Sequence, residues 1–313
     1  MSIHLQRYKK QRGVTLVELM ISSTVGLLLT AAVGTLFIQN KQSYNQNEHV
    51  SFIQDNGKFA LTTLTNDISA ADFWGGVSDL SKIDASAADL PFAAGEECVP
   101  AGTSYDVTTS LFFLNQPSAA DAAAAFPCID SFDAGTSMLL IKRVRGLEAD
   151  ALTTNSIYLR VADLQNAAFF AQDAAETARA ANETDWEYFL HVYYIDNNLL
   201  KRKTINNNPS TNPPTMMEET LAEGIERFHL EFGIDTSSDN TADFFTSTPT
   251  PAQFNDAVVA RVHILARADD ILAGYTNNKS YLLGDLAIPA NNDGYLRRSY
   301  TASTPIRNVA NLR

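Results

Sequence analysis

Gly13-Val14-Thr15-Leu16-Val17-Glu18-Leu19-Met20 is the stretch whose reading decides the fold. Arg7, Lys9, Lys10 and Arg12 precede it, with no acid among them. Residues 19–38 after it carry no charge. At 1.5 Å per residue such a run spans roughly 30 Å as a helix, the thickness of a bilayer's hydrocarbon core. Basic residues stay on the cytoplasmic side, so the chain beyond Ile38 is expected in the opposite compartment. Glu18 is the anomaly, because a carboxylate at the mouth of an apolar helix is costly unless paired. It can serve as a first-turn acid favoured by the helix dipole. Alternatively, cleavage between Gly13 and Val14 removes every basic leader residue and frees an amine four residues before Glu18. That amine could neutralise Glu18 within the chain or in a neighbouring subunit.

The Gly-apolar-Thr-Leu-Val-Glu-Leu pattern of residues 13–19, the basic leader and the apolar run resemble the class III signal of type IV pilins and pseudopilins. The resemblance covers residue 13 to about residue 38. It implies a prepilin peptidase that cuts after Gly13 and N-methylates Val14, with Glu18 serving assembly. Val14 stands where the family usually has Phe. Major pilins commonly carry a helix-breaking Pro at the place of Thr35, whereas the first proline here is Pro91. That departure points to a minor component.

The chain has 313 residues and a net charge of −13, which becomes −17 without the four basic residues of the leader. An acidic exported domain follows, and a broad basic surface for nucleic acid is excluded. The leader lacks a small-x-small cleavage site after the apolar run, so it is not a conventional signal peptide. Cys98 and Cys128, the two cysteines, lie in the exported part and read as a disulfide; two free buried thiols are the alternative. With no histidine near them, they make a poor metal site.

Ser22, Gly26, Thr30 and Gly34 recur every four residues and put small side chains on one helix face, which permits close helix packing. From residue 39 the helix should run on to about residue 73, with Ile53, Ala60, Leu64 and Ile68 inward and Asp55, Lys58, Thr62 and Asn66 outward. Gly75-Gly76 should end it. Residues 77–135, rich in Ala, Asp, Ser and Pro, read as an inserted lobe stapled by the cysteines. Strands are expected at residues 137–144, 157–161, 188–195, 199–204 and 258–267, with the turn Asp196-Asn197-Asn198 making a hairpin. Residues 164–179 are Ala-rich and read as a helix, and residues 206–214 as a Pro/Asn linker. The expected organisation is a leader at 1–13, an assembly helix at 14–38, an amphipathic continuation at 39–74 and an exported β-rich domain at 75–313.

Residues 221–235, containing Gly224-Ile225-Glu226 and Phe232-Gly233-Ile234-Asp235, resemble a segment of PilW-type minor pilins. Arg297-Arg298 and Ile306-Arg307-Asn308 resemble the ending of that group. The resemblance implies an α+β pilin-like fold, with the long N-terminal helix laid on an antiparallel sheet. It also implies a structural role in priming type IV pilus assembly. The partners implied are prepilin peptidase, other minor and major pilins, the inner-membrane assembly machinery and membrane lipid. A minor pseudopilin of a type II secretion system is the close alternative; an anchored periplasmic adhesin or enzyme is the distant one.

No P-loop, Gly-x-Ser-x-Gly or His-Glu-x-x-His motif occurs, and neither a catalytic residue nor a cofactor is expected. His4 is in the leader and His49 on the helix. His191, His229 and His263 on strands could converge, but read better as satisfied structural histidines. The loop Asp235–Asn240 could hold calcium but lacks the Gly and distal Glu of an EF-hand, so a solvated turn is favoured. Arg297 and Arg298 read as surface charge or as partners for another subunit's acids.

Overall fold

The computed structural model describes residues 13–77, 79–85, 92, 96–153, 156–163, 166–171, 179–206, 214–306 and 308. The leader at 1–12, most of the 206–214 linker and Arg307 lie outside them. The chain divides into two compact units, Met1–Glu48 and His49–Arg313. In the first, every described residue, 13–48, is solvent-exposed, including the opening part of helix α1 (Leu16–Ser69), and Leu27, Leu28 and Phe37 are about 70% exposed.

In the second unit the rest of α1 buries Ile53, Gly57, Ala60, Leu64, Asp67 and Ile68, which follow helical spacing. Asp55, Lys58, Thr62 and Asn66 face out, as the pattern requires. The helix stops at Ser69, earlier than Gly75-Gly76. Both glycines have positive φ, 65° and 85°, and the indole of Trp186 fills the space where a Gly75 side chain would stand.

The strands are β1 (Ile83–Asp84), β2 (Leu111–Leu114), β3 (Met138–Val144), β4 (Ile157–Asp163), β5 (Asn166–Ala171), β6 (Thr184–Asp196), β7 (Leu199–Asn206) and β8 (Thr215–Glu223). These form one sheet. A second sheet has the order β10-β9-β11-β14, from β9 (Ile225–Ile234), β10 (Phe244–Thr246), β11 (Ala257–Arg267) and β14 (Arg297–Pro305). A small hairpin joins β12 (Tyr281–Leu283) to β13 (Leu286–Ile288). Short helices α2 (Ala119–Ala125) and α3 (Pro251–Phe254) lie between strands. Among the described strands all pairings are antiparallel except β1 with β5, so the fold is α+β, with a long N-terminal helix packed on mostly antiparallel sheet.

Strands β3 and β6 bury both faces. Leu139, Ile141, Tyr193 and Ile195 point to the core shared with α1, Phe228, Leu230, Val262 and Ile264. Their neighbours Met138, Leu140, Leu190, Val192 and Tyr194 point the opposite way, to a core containing Trp74, Tyr105 and Phe126. Successive strand residues alternate faces, so a strand between two cores must be apolar throughout. The β6–β7 turn uses Asn197 and Asn198 at φ 54° and 57°, and the Asp133 carboxylate accepts both their N–H groups. Asparagine tolerates the left-handed conformation that a tight hairpin demands.

Two expectations are corrected. The Ala-rich stretch supplies strand β5 over Asn166–Ala171, not a helix; residues 164–165 and 172–178 lie outside the description. Tertiary packing overrides propensity, because Phe169 meets Tyr105 and Tyr188 while Phe170 stacks on Tyr158. Residues 77–135 are not a separate lobe either. They give β1 and β2 to the main sheet, and Leu111 and Phe113 enter the core under α1.

A buried carboxylate fastens the helix to the sheet. Asp67 accepts from Arg143 Nε at 2.6 Å and Tyr193 Oη at 2.7 Å, and lies 2.7 Å from His191 Nδ1. Burial pushes its pKa up, but His191, Arg143 and Tyr193 outweigh this and hold it well below the usual carboxylate range. A depressed carboxyl pKa gives stability that is complete above its ordinary 3.8 and lost as pH falls below that value. Asp67→Ala strands the Arg143 cation, and the expected loss is about 3 to 5 kcal/mol in denaturant unfolding. The variant's stability should also fall less steeply with acidification than the wild type's. Gly57 makes a second prediction. An added Cβ would lie 2.4 Å from Tyr300 Cε2. Gly→Ala inside a helix ordinarily gains up to about 1 kcal/mol. Here overpacking of about 1 to 3 kcal/mol opposes that gain. Thermal unfolding should show Gly57→Ala below wild type, with Tyr300→Leu recovering much of the loss.

Candidate functional site

Thr15 and Glu18 close the start of α1 reciprocally. The Glu18 carboxylate accepts the Thr15 N–H and hydroxyl, both at 2.9 Å, while the Glu18 N–H donates to Thr15 Oγ1 at 3.2 Å. This is a capping box, which satisfies two of the helix's orphan donors. Thr15 was not singled out from the sequence, although Thr-x-x-Glu ahead of an apolar run is the signature of that cap. Glu18 is exposed, as are Gly13 and Val14, so the bond between those two is sterically open.

Ser22, Gly26, Thr30 and Gly34 share a face by their four-residue spacing. Nothing lies within 4 Å of a Cβ added at Gly26 or Gly34. Ser22 Oγ donates to Leu19 O at 3.0 Å, and Thr30 Oγ1 to Gly26 O at 2.8 Å. Each hydroxyl is therefore satisfied inside its own helix and presents little polarity to an apolar partner.

The cysteines are joined, Cys98 to Cys128, across 30 residues. Lys142 ties the same loop to β3, its Nζ donating to Thr103 O at 2.6 Å and Asp106 O at 3.0 Å. Burial pushes the Lys142 pKa down to about 8, against the pull of Asp106 and Glu97. Closing a loop of this length stabilises by about 3 to 4 kcal/mol on the chain-entropy model. Reduction should lower the thermal midpoint accordingly, and non-reducing peptide mapping should recover the Cys98–Cys128 peptide.

The remaining sequence candidates find partners within the chain. The Arg297 side chain is covered and bonds Glu226 and Asp293, which corrects its reading as surface charge or as a link to another subunit; Arg298 sits over the Tyr300 ring. The Asp235 carboxylate accepts the N–H groups of Ser237, Ser238, Asp239 and Asn240, so the loop folds around its own acid. His49 pairs with Asp269 and His191 with Asp67. His229 and His263 do converge, as direct partners across β9 and β11, each on a carboxylate. Among the described residues no cluster of three or more His, Cys, Asp or Glu could hold a metal ion.

The family described as Prokaryotic N-terminal methylation motif matches residues 8–34. Type IV Pilus-assembly protein W matches residues 192–308, from the middle of β6 to just beyond β14. Together the two matches, neither of which covers half of the chain, support a PilW-like minor pilin of the type IV pilus. No curated protein matches the chain. Two solved structures are similar at a low level. One is a chain of the GspK-GspI-GspJ complex of the enterotoxigenic Escherichia coli type 2 secretion system, at 9% identity and TM-score 0.31 over 79% of this chain and 96% of that one. The other is a type IV-like pilin from Thermus thermophilus, at 15% identity and TM-score 0.26 over 51% of this chain and 86% of that one. Likeness of that degree carries no argument about this chain. The PilW match takes in the whole second sheet and reaches Asn308. Asn308 donates to Ala70 O and Ala71 O, just past the end of α1.

Proposed function

We propose that this chain is a PilW-like minor pilin, cut between Gly13 and Val14 by a prepilin peptidase and N-methylated at Val14. It then joins other pilins through residues 14–38 to help prime pilus assembly. Before assembly it is a single-pass protein of the inner membrane, with residues 39–313 in the periplasm. Its role is structural and needs no catalytic residue. The observation that carries this reading is a helix with two unlike halves. Residues 14–48 are exposed and nearly free of charge, whereas from Ile53 to Ile68 one face of the helix is buried in its own domain. An exposed apolar helix needs lipid or other helices around it, and a small-residue face suits both.

Glu18 acts as the register check. In the lone subunit its carboxylate is held by Thr15. In a bundle the free amine of a neighbour's Val14 gives it an opposite charge, and the ion pair offsets desolvation only when both arrive. Glu18→Gln separates the two duties, because glutamine still accepts in a capping box but carries no charge. The variant should be processed normally, shown by mass spectrometry of its N-terminus, and should remain in the membrane. Docking should weaken at least a hundredfold, from a penalty of about 3 to 5 kcal/mol for an unpaired buried charge. Surface pili should therefore be few at normal protein level. Normal piliation would remove the ion pair from the mechanism; an intact Met1 terminus in peptidase-competent cells would remove the processing step.

A further inference from the structure

The outer face of the second sheet carries a flap. Residues 278–292 leave and return at a base where Asn277 bridges Asp293 and the Asn277 side chain donates to Tyr295 O. Within this flap the β12–β13 hairpin rests on β11 through a small apolar patch, Leu265 with Leu283 and Ile288. Its tip is polar. Asp285 receives Ser247 Oγ at 2.7 Å on one oxygen and lies 2.6 Å from His229 Nε2 on the other. Gly284, at φ 62°, sits so close over the Glu231–His263 pair that an added Cβ would be 2.6 Å from Glu231 Oε2 and 3.0 Å from His263 Nε2.

We infer that the β12–β13 hairpin is an acid-sensitive clasp, which closes over His229 and His263 when His263 is neutral and lifts when His263 takes up a proton. The geometry supplies the reason. The Gly284 backbone is what covers His263 Nε2, so lifting the tip is the shortest way to hydrate a charged imidazole. The other groups facing His263 are Glu231 and His229 from β9, Arg261 of its own strand, the Thr301 hydroxyl of β14 and Asp285 beside Gly284. Burial lowers the His263 pKa below its ordinary 6.5; Glu231 opposes this, and His229 and Arg261 add to it. A histidine whose closed-state pKa lies below its open-state value favours the closed form above the open-state pKa. That preference is lost as pH falls from the open-state pKa to the closed-state one.

Hydrogen exchange of the full chain in detergent micelles tests this, read at residues 281–288 and corrected for the intrinsic pH dependence of exchange. Between about pH 7.5 and about pH 5.5, hairpin protection should fall by up to about tenfold per unit of pKa difference. Residues 228–232 and 260–264 should stay protected throughout. His263→Gln should make hairpin protection independent of pH in this range. Asp285→Ala should lower it already at neutral pH with both sheets intact. Constant protection in the wild type, an unchanged pH response in His263→Gln, or loss of sheet protection in step with the hairpin would each overturn the clasp.

Discussion

The structure depends on one carboxylate placed under a helix. Asp67 lies in the last turn of α1 and reaches β3 through Arg143 and β6 through His191 and Tyr193. A buried charge is tolerable only when paired and hydrogen-bonded, so its three partners must hold their places together. That requirement fixes the rotation of the helix about its axis. With the rotation set, Gly57 meets the Tyr300 ring, Asn56 Oδ1 receives the Glu223 N–H, and Thr304 Oγ1 donates to Thr65 O. Contacts from both sheets thus agree on a single register of α1.

The same sequence was easy to read where period and charge carried the information. The apolar run, the inward stripe of Ile53, Ala60, Leu64 and Ile68, and the Asn197-Asn198 hairpin follow from local rules. Asp67 was not legible, because a lone acid beside an apolar stripe looks like a helix's wet edge. Its partners lie 76, 124 and 126 residues away in the chain. Strand β5 was misread for a related reason: alanine favours helix locally, and only the aromatic cluster around Tyr105 and Tyr188 makes a strand of it. Arg297 was misjudged because sequence gives no sign that Glu226 and Asp293 close around it.

At the assembly end, sequence located the residues but not their state in the lone subunit. Glu18 was marked by its incongruity in an apolar run, and the structure adds that Thr15 already occupies it. Association through Glu18, as proposed above, would therefore work with a carboxylate that has local hydrogen bonds, not a bare one. The Ser22 and Thr30 hydroxyls are likewise turned into their own helix. The first unit is thus internally satisfied in polar terms while its apolar surface remains open.

The links between α1 and the sheets also define how the domain bears tension. A pull along the exposed half of α1 reaches the globular unit through the Asn56, Thr65 and Asp67 links, the Gly57–Tyr300 contact and the Asn308 hold on the end of the helix. These contacts are spread along three turns or more and would be loaded side by side, in shear. Strands β3 and β6, packed on both faces, take up the load from Asp67. The buried acid is then a mechanical rivet, and the C-terminal segment is a strap across the end of the loaded helix.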